Sequence, residues 1–221
     1  MKRTCLALAA IASAAAPAAL AENQIWTSLD LEKQSGTNPR IEYQLNTELR
    51  YQPDGDLDTI EIRPGVRYRL KNQLDLSGGY LYASSRRDGP DQREHRLWQQ
   101  LGYDVFKAGD WEFSGRTRIE ERWREGADGI GYRLRQRFGV SHPVPGTELQ
   151  FDLNSEAFIV LNDTGWTRSG VQENRARATV EWETGKGLEW SAGYLNQFRN
   201  GTNGSADETN HHLYIGLSAG F

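Results

Sequence analysis

Two neighbouring stretches decide the fold: Arg116-Thr117-Arg118-Ile119-Glu120-Glu121-Arg122-Trp123 and Tyr132-Arg133-Leu134-Arg135-Gln136-Arg137-Phe138. Charged side chains, mostly arginine, recur at every second position, and Ile119, Trp123, Tyr132, Leu134 and Phe138 fall between them. A period of two describes a strand with one charged and one apolar face. In a water-soluble sheet the charged face meets solvent and the apolar face a core. Arginine this regular, over several strands, predicts the reverse: lipid outside and a charged interior. The expected fold is all-β, a single transmembrane antiparallel β-barrel of about ten to twelve strands.

The two ends of the chain agree. Met1-Lys2-Arg3 is basic, Cys5 to Leu20 is small and apolar, and Ala19-Leu20-Ala21 has the small-x-small form of a signal-peptidase site. The expected organisation is a signal peptide over 1–21, cleaved after Ala21, followed by one barrel domain over 22–221. The apolar run falls short of the roughly 20 residues of a spanning helix. Cys5, the chain's one cysteine, leaves with the signal, so the mature chain has no disulfide or thiolate chemistry. At the other end Leu213, Ile215, Leu217, Ala219 and Phe221 share one face. A final strand ending in Phe resembles the targeting signal of bacterial outer-membrane barrels. That likeness implies outer-membrane lipid as surroundings and the barrel assembly machinery as a partner.

Mean hydropathy is −0.72, and no apolar stretch after the signal suits a spanning helix. The net charge of −4 on an exported chain argues against a nucleic-acid role. Alternating segments run over 25–33, 40–51, 58–70, 73–83, 93–106, 111–123, 130–141, 148–161, 172–183, 188–199 and 209–221, each bounded by turn residues. Eleven is odd, whereas single-chain bacterial barrels have even strand numbers. Ten or twelve strands are therefore expected, with 25–33 outside the barrel or a strand missed. Short turns at Lys71-Asn72, Lys107-Ala108-Gly109 and Gly185-Lys186 alternate with the longer 84–91, 162–170 and 200–207 connections. Lysines 33, 71, 107 and 186 sit at strand ends or turns, where their ammonium groups reach the headgroup level. Trp111, Trp182, Tyr103 and Phe221 fall toward one rim, and Trp123, Tyr132, Tyr51 and Phe198 toward the other, as two aromatic girdles.

With the apolar residues facing lipid, Glu42, Glu48, Arg116, Arg118, Glu120, Arg133, Arg135, Arg137, Asp152, Glu156, Arg175 and Arg177 face inward. A turn near Val144 brings Arg137 to Asp152 and Arg133 to Glu156, and the next hairpin sets Arg175 or Arg177 beside Glu156. Arg116 and Arg118 instead face Arg137 and Arg135, like against like. Such a patch needs anions from Glu42 and Glu48 on the opposite wall, or from a solute. Arg116, Arg118 and Arg135 are thus the positions expected to lack an acidic neighbour.

The seven arginines are candidate contacts of an anion, with Glu120, Asp152, Glu156, Glu42 and Glu48 as acidic partners. The functional expectation is a narrow porin-like path for small anionic solutes. The alternative is a closed barrel stiffened by interior salt bridges, because about eight strands leave room only for side chains and about sixteen leave a pore. A third reading, a lipid hydrolase, rests on His211 or His212 near Ser205 and Asp207 or Glu208, with no specific spacing. No enzyme activity, catalytic residue, metal site or cofactor is assigned. Asp54 to Asp58 lacks the closing Glu of a calcium loop and reads as a turn.

Ser155-Glu156-Ala157-Phe158, Glu173-Asn174-Arg175 and Gly193-Tyr194-Leu195-Asn196-Gln197-Phe198, with the Arg116–Trp123 and Arg133–Phe138 stretches, resemble bacterial outer-membrane proteins grouped as domain of unknown function 2490. The resemblance runs from Trp26 onward. It implies a barrel and an outer-membrane address and brings no activity or site residues.

Overall fold

A computed structural model describes residues 23–70, 74–86, 91–185, 187–201 and 205–221. The signal segment and the turn lysines Lys71 and Lys186 lie outside these residues. Eleven strands close into one barrel. They are β1 Ile25–Gln34, β2 Ile41–Tyr51, β3 Leu57–Arg69, β4 Leu74–Ser85, β5 Gln92–Ala108, β6 Trp111–Arg124, β7 Gly131–Pro143, β8 Leu149–Val160, β9 Gly170–Glu183, β10 Leu188–Arg199 and β11 Glu208–Gly220.

Ten neighbouring pairs are antiparallel. The eleventh, β1 with β11, is parallel from Ile25 opposite Leu213 to Glu32 opposite Gly220. This corrects the even-number expectation. The 25–33 segment is a full member of the barrel, paired along its length with β2. An odd count of up-and-down strands closes only if its first and last run the same way. The two termini consequently lie at opposite ends. Gln24 sits beside His212, while the Phe221 N–H reaches the Glu32 carbonyl.

The end carrying Phe221 is called the turn end. Its connections include the two-residue Gly109-Asp110 link, where Gly109 takes φ +61°. The opposite, loop end carries the longer 161–169 and 200–207 connections.

Pleat sorts side chains to two faces. Exposed apolar side chains come from every strand, among them Leu29, Ile62, Leu97, Ile119, Leu153 and Leu213, and make the outer surface a greasy band. Aromatics gather at both margins of this band. At the turn end Phe106 stacks on Phe113 (4.2 Å), Trp111 lies against His142 (4.3 Å), and the Lys33 ammonium sits over Phe221. At the loop end Tyr82, His95 and Trp123 form a cluster, and the Tyr194 hydroxyl meets His211. The other face of the sheet encloses the charged residues.

Candidate functional site

The lumen holds several clusters of buried ion pairs. Glu94 accepts bonds from Arg96 (2.6 Å) and Arg122 (2.7 and 3.1 Å). Glu61 serves Arg50, Arg63 and, across β4, Arg96. Deeper in, Glu120 is 1 % exposed and takes Arg133 (2.5 Å) and Arg135 (3.1 Å). Glu156 takes Arg135 through both carboxylate oxygens and Arg116 at 2.6 Å. Glu173 accepts from Arg175 and from Gln197, and the Gln197 side chain is fully buried.

Aromatic rings lie among these clusters. Trp26 stacks on His212 (4.9 Å) and carries Arg50 (3.9 Å) and Arg175 (4.8 Å) on its ring. Phe158 carries Arg133, Arg135 and Arg175 within 5.2 Å. Trp98 leans over Gly65 and Gly79, packs against the Arg118 guanidinium (4.7 Å), and donates its indole N–H to the Tyr80 carbonyl. A Cβ on Gly65 would stand 2.6 Å from the Trp98 ring, so the ring occupies space that any other residue would fill. A desolvated guanidinium on an aromatic face gains about 2 kcal/mol. The rings thus offset part of the cost of burying so many arginines.

Cavities remain between the described residues, and two of them lie in the lumen. The larger, about 260 Å³, occupies the turn-end half, and the smaller, about 120 Å³, the loop-end half. Trp26 lines the larger and Arg50 the smaller, so their stacked pair forms part of the partition. At the loop end the 161–169 connection folds toward β6. Its Trp166 ring sits over Arg122 and Arg124, and its indole N–H bonds to the Gly129 carbonyl. Asp163 in this loop accepts the Ser169 N–H (2.6 Å), which holds its carboxyl below the ordinary aspartate value.

The like-charge prediction matches the register: Arg116 lies opposite Arg137 and Arg118 opposite Arg135. Glu156 lies opposite Arg175, as expected. Across β7 and β8 the expected pairs are wrong. Arg137 is opposite Glu156, Arg133 is opposite Val160, and Asp152 is opposite Ser141. The turn is centred on Gly146 and Thr147, with Val144 and Leu149 closing it, and not on Val144. That displaces partners by four residues while preserving the inward face.

The expected anion source also needs correction. Glu42 pairs with Arg67 (2.7 Å) and Arg69 (3.0 Å), and Glu48 with Arg50 (2.6 Å), all on their own side of the barrel. Arg116 and Arg135 find acids within their own wall, at Glu156 and Glu120. The ranking of arginines inverts as a result. Arg135 has two acidic partners, whereas the Arg137 guanidinium makes no hydrogen bond or ion pair among the described residues, because Arg116 and Arg135 occupy Glu156. Arg177 has none either and rests on the Tyr214 ring (4.5 Å). Arg118 keeps its place in the ranking: Gln100 takes its Nε and Nη2, and Glu120 stays 3.9 Å away.

Trp26, Trp98, Phe158, Gln100 and Tyr214 were not singled out in the sequence. The signal for the first three was their parity, since each falls on the charged side of its strand's alternation. His212 is buried inside, with Nδ1 accepting the Gln24 N–H and Nε2 near Gln197, while His211 faces outward. Asp207 accepts the Gly201 N–H, and Glu208 lies 3.9 Å from Arg199. Among the described residues no acidic or histidine group is arranged to hold a metal.

Residues 23–209 match a family described as a protein of unknown function, DUF2490. An uncharacterized protein of Methylorubrum extorquens is 32% identical over 165 residues, which is 73% of this chain and 72% of that one. No solved structure matches.

Proposed function

We propose that this chain, which belongs to the DUF2490 family, is an exported outer-membrane barrel whose lumen is closed at mid-height by its own ion network. Two vestibules then face opposite compartments, the turn end toward the periplasm. The carrying observation is Glu120, 1 % exposed, held by Arg133 and Arg135 beside the Phe158 ring. The apolar outer band and its two aromatic margins support the membrane setting. The outward apolar row of β11, Leu213, Ile215, Leu217 and Ala219, supports delivery by the barrel assembly machinery, and outer-membrane lipid is then the immediate surrounding. The reading assigns no catalytic residue and no cofactor.

A narrow anion path is the second reading, favoured by the arginine excess in the larger cavity. Planar-bilayer recording on the refolded protein separates the two. The closed barrel gives no steady current. A steady anion-selective current, reduced by Arg133→Ala and Arg135→Ala, would replace it with the channel. Recovery of the protein in the inner-membrane or soluble fraction would overturn both.

A further inference from the structure

We infer that the turn-end cavity is a binding site for a small dianionic oxyanion of the phosphate or phosphate-monoester class, held by Arg116, Arg118, Arg137 and Arg177. The site deepens the closed-barrel reading by giving one vestibule a ligand, yet its test is independent of conductance.

Charge is the first argument. Among the described residues eight arginines and four carboxylates line this cavity. Most of these arginines are answered by acids in or behind the lining: Arg135 and Arg116 by Glu156, Arg67 by Glu32, Arg63 by Glu61, and Arg175 by Glu173. Arg137 and Arg177 have no such answer. Two guanidiniums that make no ion pair among the described residues can both engage a dianion.

Unused donors are the second argument. Arg118 lines the same cavity and is 4 % exposed; its Nη1 makes no hydrogen bond and lies 3.9 Å from Glu120. The Nε groups of Arg116 and Arg177 are likewise buried and bare. Leaving such a group unsatisfied costs about 1–3 kcal/mol, more when charged. The three arginines that carry such groups all line this cavity. Guanidinium donors in a fixed fork suit planar or tetrahedral oxyanions, which accept two bonds per arginine.

Room is the third. The cavity encloses about 260 Å³ and is lined by arginines of β6, β7 and β9. Asn154, which lies opposite Arg177, and Gln100 add neutral polar groups to the lining.

The test is calorimetric titration of the detergent-refolded protein with inorganic phosphate, then sulfate, against chloride at equal ionic strength. The expected result is saturable binding of one phosphate or sulfate per chain, with chloride far weaker. Arg137→Gln combined with Arg177→Gln lowers phosphate affinity about ten- to a hundredfold. The same double variant unfolds no more easily than wild type without phosphate, because it removes two cations that make no ion pair. A merely structural role predicts the opposite, an easier unfolding of the variant. Vesicles of phosphatidic acid leave phosphate binding unchanged, since the site is inside the lumen. Competition by the vesicles would move the site to the lipid-facing surface and overturn the proposal. So would absence of saturable binding by the wild type, or undiminished binding by the variant. The wild-type titration decides even where the double variant fails to refold.

Discussion

The two halves of the lumen use one residue type to different ends. Toward the loop end, four arginines and three carboxylates line the smaller cavity, and Glu61 and Glu94 each serve several arginines. Toward the turn end the larger cavity has, among the described residues, eight arginines to four carboxylates. The alternation that creates an inward row is the same in both. What differs is where the acids fall. Burying a cation is tolerable when a carboxylate and an aromatic ring surround it, and costly when neither does. The balanced half therefore reads as structure, and the unbalanced half as a place for something else.

The largest expected effect is at the partition. Glu120→Gln leaves Arg133 and Arg135 short of a buried counter-charge and destabilises the barrel by about 3–5 kcal/mol in denaturant titration. A loss no greater than that of a surface pair would break the comparison, because it would mean that water already reaches the network. Next comes the outer face at the level of the partition. Leu153→Arg costs about 2–4 kcal/mol in lipid vesicles, while Val171→Arg, at the loop-end margin of β9, costs about 0–1. Equal costs would remove the membrane axis along which the two halves are compared. Gly65→Ala, which drives a methyl group into the Trp98 ring, costs about 1–3 kcal/mol. The smallest effect belongs to the turn-end margin. Glu32 is about a third exposed beside Arg67, and Glu32→Gln costs less than about 1 kcal/mol, diminishing further in high salt.

Much of the barrel was legible because pleat alternation is local. Arg116 to Trp123 reveals its charged face without knowledge of any other strand, and the strand ranges read from such segments fall close to those observed. Closure was not legible. Ile25 to Lys33 carries the same alternation whether its neighbour runs parallel or antiparallel, and only the meeting of β1 with β11 decides the strand parity. The β7–β8 register turned on one residue, Gly146 at φ +76°, which marks the true centre of the turn more reliably than the prolines around it. The candidate site was half legible. The opposition of Arg116 with Arg137 followed from the hairpin between them. Which arginine goes without a partner depends on reach: Arg116 extends past β7 to Glu156 and so strips Arg137 of the acid directly opposite it. Diagonal competition of this kind has no sequence signature.

The division of the lumen is tested most directly by cysteine accessibility. Cys5 is the chain's only cysteine and lies in the expected signal segment, so single cysteines can be placed at Gln44 in the larger cavity and at Ser85 in the smaller. With the barrel in sealed vesicles, an anionic thiol reagent applied at the turn end is expected to modify Gln44→Cys and spare Ser85→Cys. Applied at the loop end, it is expected to do the reverse. Modification of both cysteines from either side would contradict the partition and show that the lumen is continuous.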